Sequence, residues 1–284
     1  MRERLWPGVA VLGQPAWIAA GALAVIAIAY APLLPELWRA WRTDEYAGHG
    51  MFVPVYSAFL LWMDRERLAA VPRRSEPAGA LVLLLALALF AVARAEANLI
   101  LQVVSLVLAV AAVVLLALGW GMLRAAAFPL GFLLLMMPLP QPVVRAVSLP
   151  IQHFAASVAG VALSLAGVPH HQSGIFIELP RIRLEVAEGC NGLRFLMALL
   201  TLTAAFAQAT QRTTARKAIL VVAAIPVAIL ANDVRVATLA LAGYYVGPHA
   251  TVGLTHHSIG KGIWALALVP LAALGVLLRR RKAS

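Results

Sequence analysis

Residues 99–118 read LILQVVSLVLAVAAVVLLAL, an apolar run without a charged residue. A helix rises about 1.5 Å per residue, so a run of about 20 residues spans the ~30 Å hydrocarbon core of a bilayer. Seven further runs are long enough to cross this core, or nearly so, once they extend into their flanks. They are residues 17–34, 51–63, 77–93, 125–138, 193–208, 218–242 and 263–278. The sequence therefore predicts an all-α, polytopic transmembrane bundle of about eight spans, forming a single domain over residues 1–284.

The composition supports an integral membrane protein and excludes other classes. Of the 284 residues, 62% are hydrophobic and 12% are charged, whereas a soluble domain is about half apolar and roughly a quarter charged. This deficit of charge excludes an ordinary cytosolic globule, a disordered tail and a fibrous protein. The net charge is +11, but no basic, aromatic-interleaved face is present, so nucleic acid is not an expected partner.

The basic residues orient the predicted bundle. Lys and Arg cluster near the N-terminus, in residues 64–76 and 209–217, and in a basic tail at 279–284. Because cytoplasmic loops carry an excess of Lys and Arg, both termini are predicted in the cytoplasm. With eight crossings, that side holds 14 basic and 4 acidic residues, a net +10, and the outer side holds 9 basic and 8 acidic residues, a net +1. All seven histidines and the single cysteine then fall on the outer side.

Two segments are assigned to the outer face of the membrane. Residues 151–167 are rich in small residues and carry His153, and the parity of the crossings predicts an interfacial or re-entrant helix. Residues 168–188 alternate apolar and polar side chains around Gly174 and Pro180. They predict a small β-hairpin that lies above the hydrocarbon core, where lipid-exposed strands are forbidden.

The first apolar run has an alternative interpretation. Residues 29–31 read AYA, which resembles the small-x-small cleavage site of a signal peptide. Pro32 follows directly, and the parity of eight crossings requires this helix. We therefore expect the first run to be a retained span.

The first of three polar clusters, EGCNGLR at residues 188–194, lies where the hairpin ends and the sixth predicted span begins. Cys190 is predicted in the first turn of that helix, where the free N–H groups and the positive dipole end favour a thiolate. Arg194 is four residues further on, on the same face, and also favours the anion. In the structural alternative, Glu188 caps the helix and Cys190 is a small buried hydrophobe.

The second and third clusters belong to the last two predicted spans. Asn232 and Arg235 share a face of the seventh, with Arg235 roughly 27 Å along the helix, near the outer edge of the core. A guanidinium there suits an oxyanion or a carboxylate, and the alternative is a structural plug made with Asp233. His256 and His257 precede the eighth span, where a histidine can take and return a proton near neutral pH. Their alternative is a pair of surface histidines.

Together the clusters supply a nucleophile, a fixed cation and a proton shuttle on one side of the membrane, which are the parts needed for thiol acyl transfer. A zinc site drawn from His170, His171, His256 or His257 is an alternative. No ligand spacing such as HExxH is present, and a single cysteine excludes a cysteine cluster and an intrachain disulfide. We expect neither a metal nor a cofactor.

The three clusters resemble the three sequence blocks of the exosortase/archaeosortase family, which are approximately A-C-S-G-x-R, N-x-x-R and H-x-x-x-G. The family's W-x-x-D-x-x-Y-S-H-G-x-L-V-P pattern is similar to WRTDEYAGHGMFVP at residues 41–54. PLP at 138–140 and GVP at 167–169 agree as well, so the resemblance covers about 41–264. Two positions depart from the family pattern, since Asn191 and Ala47 each stand where a serine is usual.

The resemblance implies a membrane cysteine transpeptidase or protease, a hydrolase of the cell inner membrane that acts at its outer face. Its expected partners, besides the lipid bilayer, are membrane-anchored proteins with PEP-CTERM-like sorting tails and an unidentified acceptor nucleophile. By position, Cys190 is the nucleophile, Arg235 stabilises the oxyanion or the substrate, and His256 is the acid/base. His256 is preferred because Gly260 completes the H-x-x-x-G spacing, and His257 remains an alternative.

Supporting or substrate-binding roles are expected for a wider set of polar residues: Glu188, Asn191, Arg194, Asn232 and His49. The alternative function, from a different class, is a membrane transporter or a polysaccharide-export subunit without thiol catalysis. Such proteins place polar residues near the midplane, often on broken helices. Here the polar clusters lie at the predicted outer end of the spans.

Overall fold

The computed structural model describes residues 15–187 and 192–280. The chain divides into two compact units, with the boundary between Pro138 and Leu139. In the first unit the described helices are α1 (Pro15–Tyr30), α2 (Leu33–Thr43), a 3-10 helix (Gly48–Met51), α3 (Phe52–Met63), α4 (Arg65–Ala69), α5 (Ala78–Ala95), α6 (Leu99–Ala125), α7 (Ala127–Phe132) and a 3-10 helix (Leu133–Met136). In the second unit the described helices are α8 (Gln141–Leu165), α9 (Leu193–Thr210), α10 (Thr214–Tyr245), a 3-10 helix (Pro248–Thr251) and α11 (Gly253–Arg280). Its strands, between α8 and α9, are β1 (His171–Ser173), β2 (Phe176–Leu179) and β3 (Ile182–Glu185).

The core of the first unit is a hairpin of α5 and α6, against which α1 also packs. The two helices approach closely at Gly79, because a Cβ at that position would overlap the backbone of Leu116. The regular path of α6 is interrupted at Gly119, whose φ is +83°. A left-handed conformation of this kind is readily adopted only by glycine. Glycine at position 79 is therefore required for the close approach of α5 to α6.

The second unit is built around α10, which packs against α8, α9 and α11. Small residues face these neighbours, since Ala224 and Ala228 are almost fully buried against Leu199 and Leu271. Further along the helix, Ala240 belongs to a second apolar cluster that extends under the sheet. Alanines on a long helix let its neighbours pack close to the backbone. The polar cluster at residues 232–235 therefore lies on the central helix of this unit.

The sheet is antiparallel with the order β1-β2-β3. In its register Glu178 is opposite Arg183, and Ile177 is opposite Leu184. Ile177 is fully buried on the face that packs with the helices, and Arg183 is exposed on the other face. The predicted hairpin is confirmed, and β1 adds a third strand that the sequence did not reveal because it has only three residues.

The predicted helical membrane bundle is confirmed, with fewer clear spans than eight. Within the described ranges, six helices are long and apolar enough to cross a bilayer, and a seventh arises if the pair Leu23–Tyr30 and Leu33–Thr43, bent by 58°, counts as one. Two predicted spans are short: α3 has 12 residues, and α7 has 6 before its 3-10 continuation. At about 1.5 Å per residue, α3 covers only about 18 Å of the ~30 Å core.

The structure also differs from the prediction at residues 151–167. These residues belong to α8, a helix of 25 residues that begins at Gln141 and is long and apolar enough to cross. Pro142 lies in the first turn, where a missing N–H costs nothing. The sequence pattern missed this start because Arg145 and Pro150 interrupt the apolar run. The side of the membrane on which each loop lies stays a prediction.

Candidate active site

The first polar cluster is described only in part. Glu188, Asn191 and Cys190, which was predicted in the first turn of the sixth span, lie outside the described residues. The helix itself, α9, begins at Leu193, and Gly192 precedes it with φ +77°. Glycine is favoured there because this conformation strains any residue that carries a Cβ.

The second cluster is buried within α10. Asn232, Asp233 and Arg235 are 0%, 1% and 8% exposed. Polar side chains inside a membrane protein are costly unless they are partnered or functional. Neither carboxylate oxygen of Asp233 has a hydrogen-bond partner among the described residues, so the alternative of an Asp233–Arg235 plug is not observed.

Arg235 instead contacts the third cluster. Its Nη2 lies 2.7 Å from Nε2 of His256, and Nδ1 of His256 lies 3.0 Å from the backbone oxygen of Thr251. A carbonyl only accepts and a guanidinium only donates, so these partners assign the proton to Nδ1 and the lone pair to Nε2. His256 is therefore oriented as a neutral imidazole whose single basic atom faces Arg235.

Two further residues surround the guanidinium of Arg235. The ring of Phe195, in the first turn of α9, has its centroid 5.1 Å from Cζ of Arg235, within the range of a cation–π contact. On α11, a Cβ added at Gly260 would lie 3.3 Å from Nε of Arg235. Gly260 is four residues after His256, so both face Arg235 from successive turns of one helix. The spacing H-x-x-x-G thus has a steric meaning in this structure.

The end of the first cluster lies against the second. A Cβ at Gly192 would lie 2.8 Å from both Cβ and Cγ of Asn232. Asn232 precedes Arg235 by three residues, so both side chains project from one face of α10. One face of α10 therefore contacts Gly192 through Asn232 and His256 through Arg235, which brings parts of the three sequence clusters to the same helix.

The remaining candidates of this unit lie further out. His257 is exposed, with Nδ1 2.8 Å from the backbone oxygen of Gly253, and its ring centroid is 5.8 Å from that of His256. Arg194 is exposed on the first turn of α9. Of the two histidines, His256 is the one with a described hydrogen-bond contact to Arg235.

His49 belongs to the first unit, where it closes a helix end. Its Nε2 donates to the carbonyl of Leu135 at 3.0 Å, while Nε1 of Trp41 donates to the carbonyl of Met136 at 2.9 Å. Gly50 lies under the Trp41 ring, where a Cβ would not fit. Burial lowers the pKa of His49 and outweighs the carbonyls of Leu135 and Tyr46 and the charge of Asp44, which raise it. These contacts give residues 41–50 a structural role within their own unit.

The zinc alternative gains no support from the part of the chain that the structure describes, where no three His, Cys, Asp or Glu side chains are grouped to hold a metal. Nδ1 of His170 is 3.0 Å from the carbonyl of Val168, and His171 is exposed on β1.

Sequence reasoning missed three contributors to this site. Phe195 lies one residue beyond the first quoted cluster, and Gly260 completes the H-x-x-x-G spacing, but no pattern showed that both would lie against Arg235. Thr251 contributes through its backbone carbonyl, and no residue type is required for that. Only the steric demand for glycine at position 260, within H-x-x-x-G, was visible as a signal in the sequence.

The fold and this Arg–His contact define a multi-pass membrane protein with a polar cluster within its second unit. The family described as transmembrane exosortase matches residues 41–273, more than four fifths of the chain, and the protein belongs to that family. At the level of the family, this makes it a membrane sorting enzyme of the cysteine transpeptidase type. Comparison with curated proteins and with solved structures gave no match.

Proposed function

We propose that the protein is a membrane thiol transpeptidase or protease that cleaves C-terminal sorting signals of exported proteins at the outer face of the inner membrane. The contact between Arg235 and His256 carries the proposal, since it pairs a fixed cation with a proton carrier. Membership of the exosortase family supports the same chemistry.

Chain connectivity supports the assignment of Cys190 as the nucleophile. Gly192 packs on Asn232, one turn before Arg235. Cys190 precedes Gly192 by two residues in the sequence. An extended chain covers at most about 3.6 Å per residue, so the two Cα atoms lie within about 7 Å of each other. The single thiol of the protein is therefore two residues in sequence from a glycine that packs against α10 one turn before Arg235.

In the proposed reaction, the thiol of Cys190 passes its proton to Nε2 of His256, and the sulfur attacks the scissile carbonyl. The carbonyl oxygen becomes an oxyanion, which the guanidinium of Arg235 stabilises. When the intermediate collapses, the C–N bond breaks and His256 returns the proton to the leaving amine. An acyl-thioester remains on Cys190 until an acceptor nucleophile, or water, attacks it and regenerates the thiol.

The geometry of the pair adds one requirement to this mechanism. Nε2 is the only basic atom of a neutral imidazole, and Arg235 donates to it in the structure. His256 can take the thiol proton only as the guanidinium leaves Nε2. The developing oxyanion provides the place to which Arg235 moves, so attack and base release are coupled.

The substrate proposed here carries its own membrane helix, which confines enzyme and substrate to one bilayer. A short motif before that helix would present the scissile bond at the interface. Arg181, in the turn between β2 and β3, and Arg183, on β3, are exposed, and either guanidinium suits an acidic residue of such a motif.

A reporter protein fused to a tail from a host protein tests the function. The tail is chosen by its pattern of short motif, apolar helix and arginine cluster, and processing is followed by the size of the reporter in membranes. We expect Cys190→Ala and Cys190→Ser to abolish processing while the enzyme still inserts at normal abundance. Normal processing by Cys190→Ala would overturn the proposal.

A further inference from the structure

Among the described residues, β3 is an edge strand of the sheet, with no strand paired on its outer side. The backbone N–H of Val186 donates to the oxygen of Ile175 at 2.9 Å, in the same register that places Leu184 opposite Ile177. Hydrogen-bonded and non-bonded pairs alternate along an antiparallel ladder. Leu184 therefore bonds to β2, whereas the N–H and C=O groups of Arg183 and Glu185 point away from it.

This edge is held in place from one side and open on the other. Within the described residues no strand pairs with β3 beyond β2. A Cβ at Gly243 would lie 2.6 Å from Cδ1 of Ile182, so β3 is packed on the end of α10. Arg183 and Glu185 are exposed on the opposite face. A fixed strand with free donors and acceptors is a template for another extended chain.

The opposite edge is less suitable for such pairing. The register makes His171 and Ser173 the residues of β1 that bond to β2, which leaves only Gln172 with outward backbone groups. The side chain of Gln172 donates to Oγ of Ser157 on α8 and to the carbonyl of Gly174, each at 3.3 Å. β1 thus faces a helix, and β3 is the edge that an added strand can use.

We propose that β3 binds the substrate's motif as a fourth, edge-paired strand, through the backbone groups of Arg183 and Glu185. The inference rests on the proposed function and specifies how that site holds its substrate. Outward N–H and C=O groups two residues apart, about 7 Å, match the repeat of an extended peptide. In sequence, β3 is followed, after Val186 and Ala187, by the cluster that contains Cys190, the nucleophile of the proposed function.

A photo-crosslinker tests where the tail lies. Benzoylphenylalanine is placed at Glu185 or, as the matched control, at Ser173 of β1, in full-length enzyme carrying Cys190→Ala, together with the reporter fused to the host tail. An added strand would lie next to β3 and roughly 14 Å from β1. We expect the adduct with the reporter to be at least fivefold stronger from position 185 than from position 173.

Equal adducts from both positions, or none from position 185, would overturn the added strand. So would an adduct from position 185 to a second copy of the enzyme in place of the reporter. If Cys190→Ala still processed the reporter, the proposed function and this inference would both fall. If processing depends on Cys190 but crosslinking from the two positions is equal, the added strand is rejected and the proposed function stands.

Backbone pairing is tested separately from side-chain contact. Glu185→Pro removes the outward N–H at a position where an edge strand tolerates proline, and Glu185→Ala removes only the side chain. One backbone hydrogen bond corresponds to about a 2- to 10-fold change in binding. We expect KM for the reporter to be higher in Glu185→Pro than in Glu185→Ala by that factor, with equal kcat and equal enzyme abundance. The same KM in the two variants would overturn the pairing.

Discussion

Arg235 and His256 depend on each other at the level of single atoms. The carbonyl of Thr251 accepts from Nδ1 of His256, which leaves Nε2 as the acceptor for Arg235. Under the proposed mechanism the guanidinium moves from Nε2 to the oxyanion, and the base is released in the same step. Replacement of Arg235 should therefore affect proton transfer by His256, and replacement of His256 should affect oxyanion stabilisation by Arg235.

Removal of the guanidinium should slow the chemical step. Loss of one oxyanion donor costs about 10²–10³ in kcat, so Arg235→Ala should lower the processing rate of the tailed reporter by about that factor. Arg212→Ala, at an exposed position in the basic loop between α9 and α10, is the control and should process at nearly the normal rate. An Arg235→Ala enzyme as active as the Arg212→Ala control would contradict the role assigned to Arg235.

The space at Gly260 offers a finer test of the same residue. Gly260→Ala places a Cβ 3.3 Å from Nε of Arg235, whereas a Cβ at Gly262, on the same helix, meets nothing within 4 Å. Both substitutions replace a helical glycine, so they share any gain in helix propensity. Because small displacements of a catalytic group are costly, we expect kcat to fall about 10-fold in Gly260→Ala only. Equal rates in the two variants would show that the position of Arg235 is not critical.

At the scale of elements, the turn before α9 joins the first sequence cluster to α10. Gly192 has φ +77° and leaves no room for a Cβ beside Asn232. Gly167, with φ +70° and nothing within 4 Å of its Cβ position, has the conformation without the close contact. The two glycines allow backbone strain to be separated from steric clash.

Both Gly192→Ala and Gly167→Ala should carry the strain of a left-handed residue, about 1–2 kcal/mol. Only Gly192→Ala should add the clash with Asn232, so it should unfold at the lower temperature in detergent and lose processing activity. A thermal unfolding series of the two variants checks this expectation. If Gly167→Ala were the less stable of the two, the packing of Gly192 on Asn232 would not be the limiting feature.

In the first unit, His49 hydrogen-bonds to the 3-10 helix Leu133–Met136, and the stability of this unit should depend on pH. Burial lowers the pKa of His49 below its ordinary value of about 6.5. The unfolded chain then binds the proton first, so stability is retained at higher pH and is lost as the pH falls through about 6.5 towards the folded-state pKa.

His49→Gln keeps a donor for the carbonyl of Leu135 but cannot titrate. The fall in unfolding temperature between pH 8 and pH 5 should therefore be smaller in His49→Gln than in the wild-type protein. His171→Gln, at an exposed position on β1, serves as the control and should behave as the wild type does. An unchanged pH dependence in His49→Gln would contradict the effect of burial on this histidine.

At the scale of the whole molecule, the sequence correctly predicted a helical membrane protein with a small β-hairpin, but it misplaced the boundaries of several helices. The apolar run at residues 99–118 lies within α6, and the alternation at 176–185 became β2 and β3. The start of α8 was missed because Arg145 and Pro150 hide its apolar character. In the site, the motifs indicated Arg235 and His256, but the contact of Phe195 with Arg235 depends on the packing of α9 against α10, which a local pattern does not contain.

The changed spans still permit the predicted orientation. This orientation requires that α3, despite its 12 residues, crosses together with its flanks, and that α8 crosses in place of residues 125–138. Five crossings then still precede the sheet, and Arg145 moves to the cytoplasmic end of its helix. In a Cys190→Ala background, a membrane-impermeant thiol reagent should label Glu178→Cys from the outside and Arg212→Cys only after the membrane is opened. The reverse labelling pattern would show that the sheet lies on the cytoplasmic side, which contradicts the predicted orientation.

The central claim, catalysis through an acyl-thioester on Cys190, is tested most directly by trapping that adduct. Wild-type enzyme and the tailed reporter are quenched in acid during turnover, and the peptide that contains Cys190 is analysed by mass spectrometry with and without hydroxylamine. The account predicts a substrate acyl group on Cys190 that hydroxylamine removes. Processing of the reporter at a normal rate without any such adduct would contradict it.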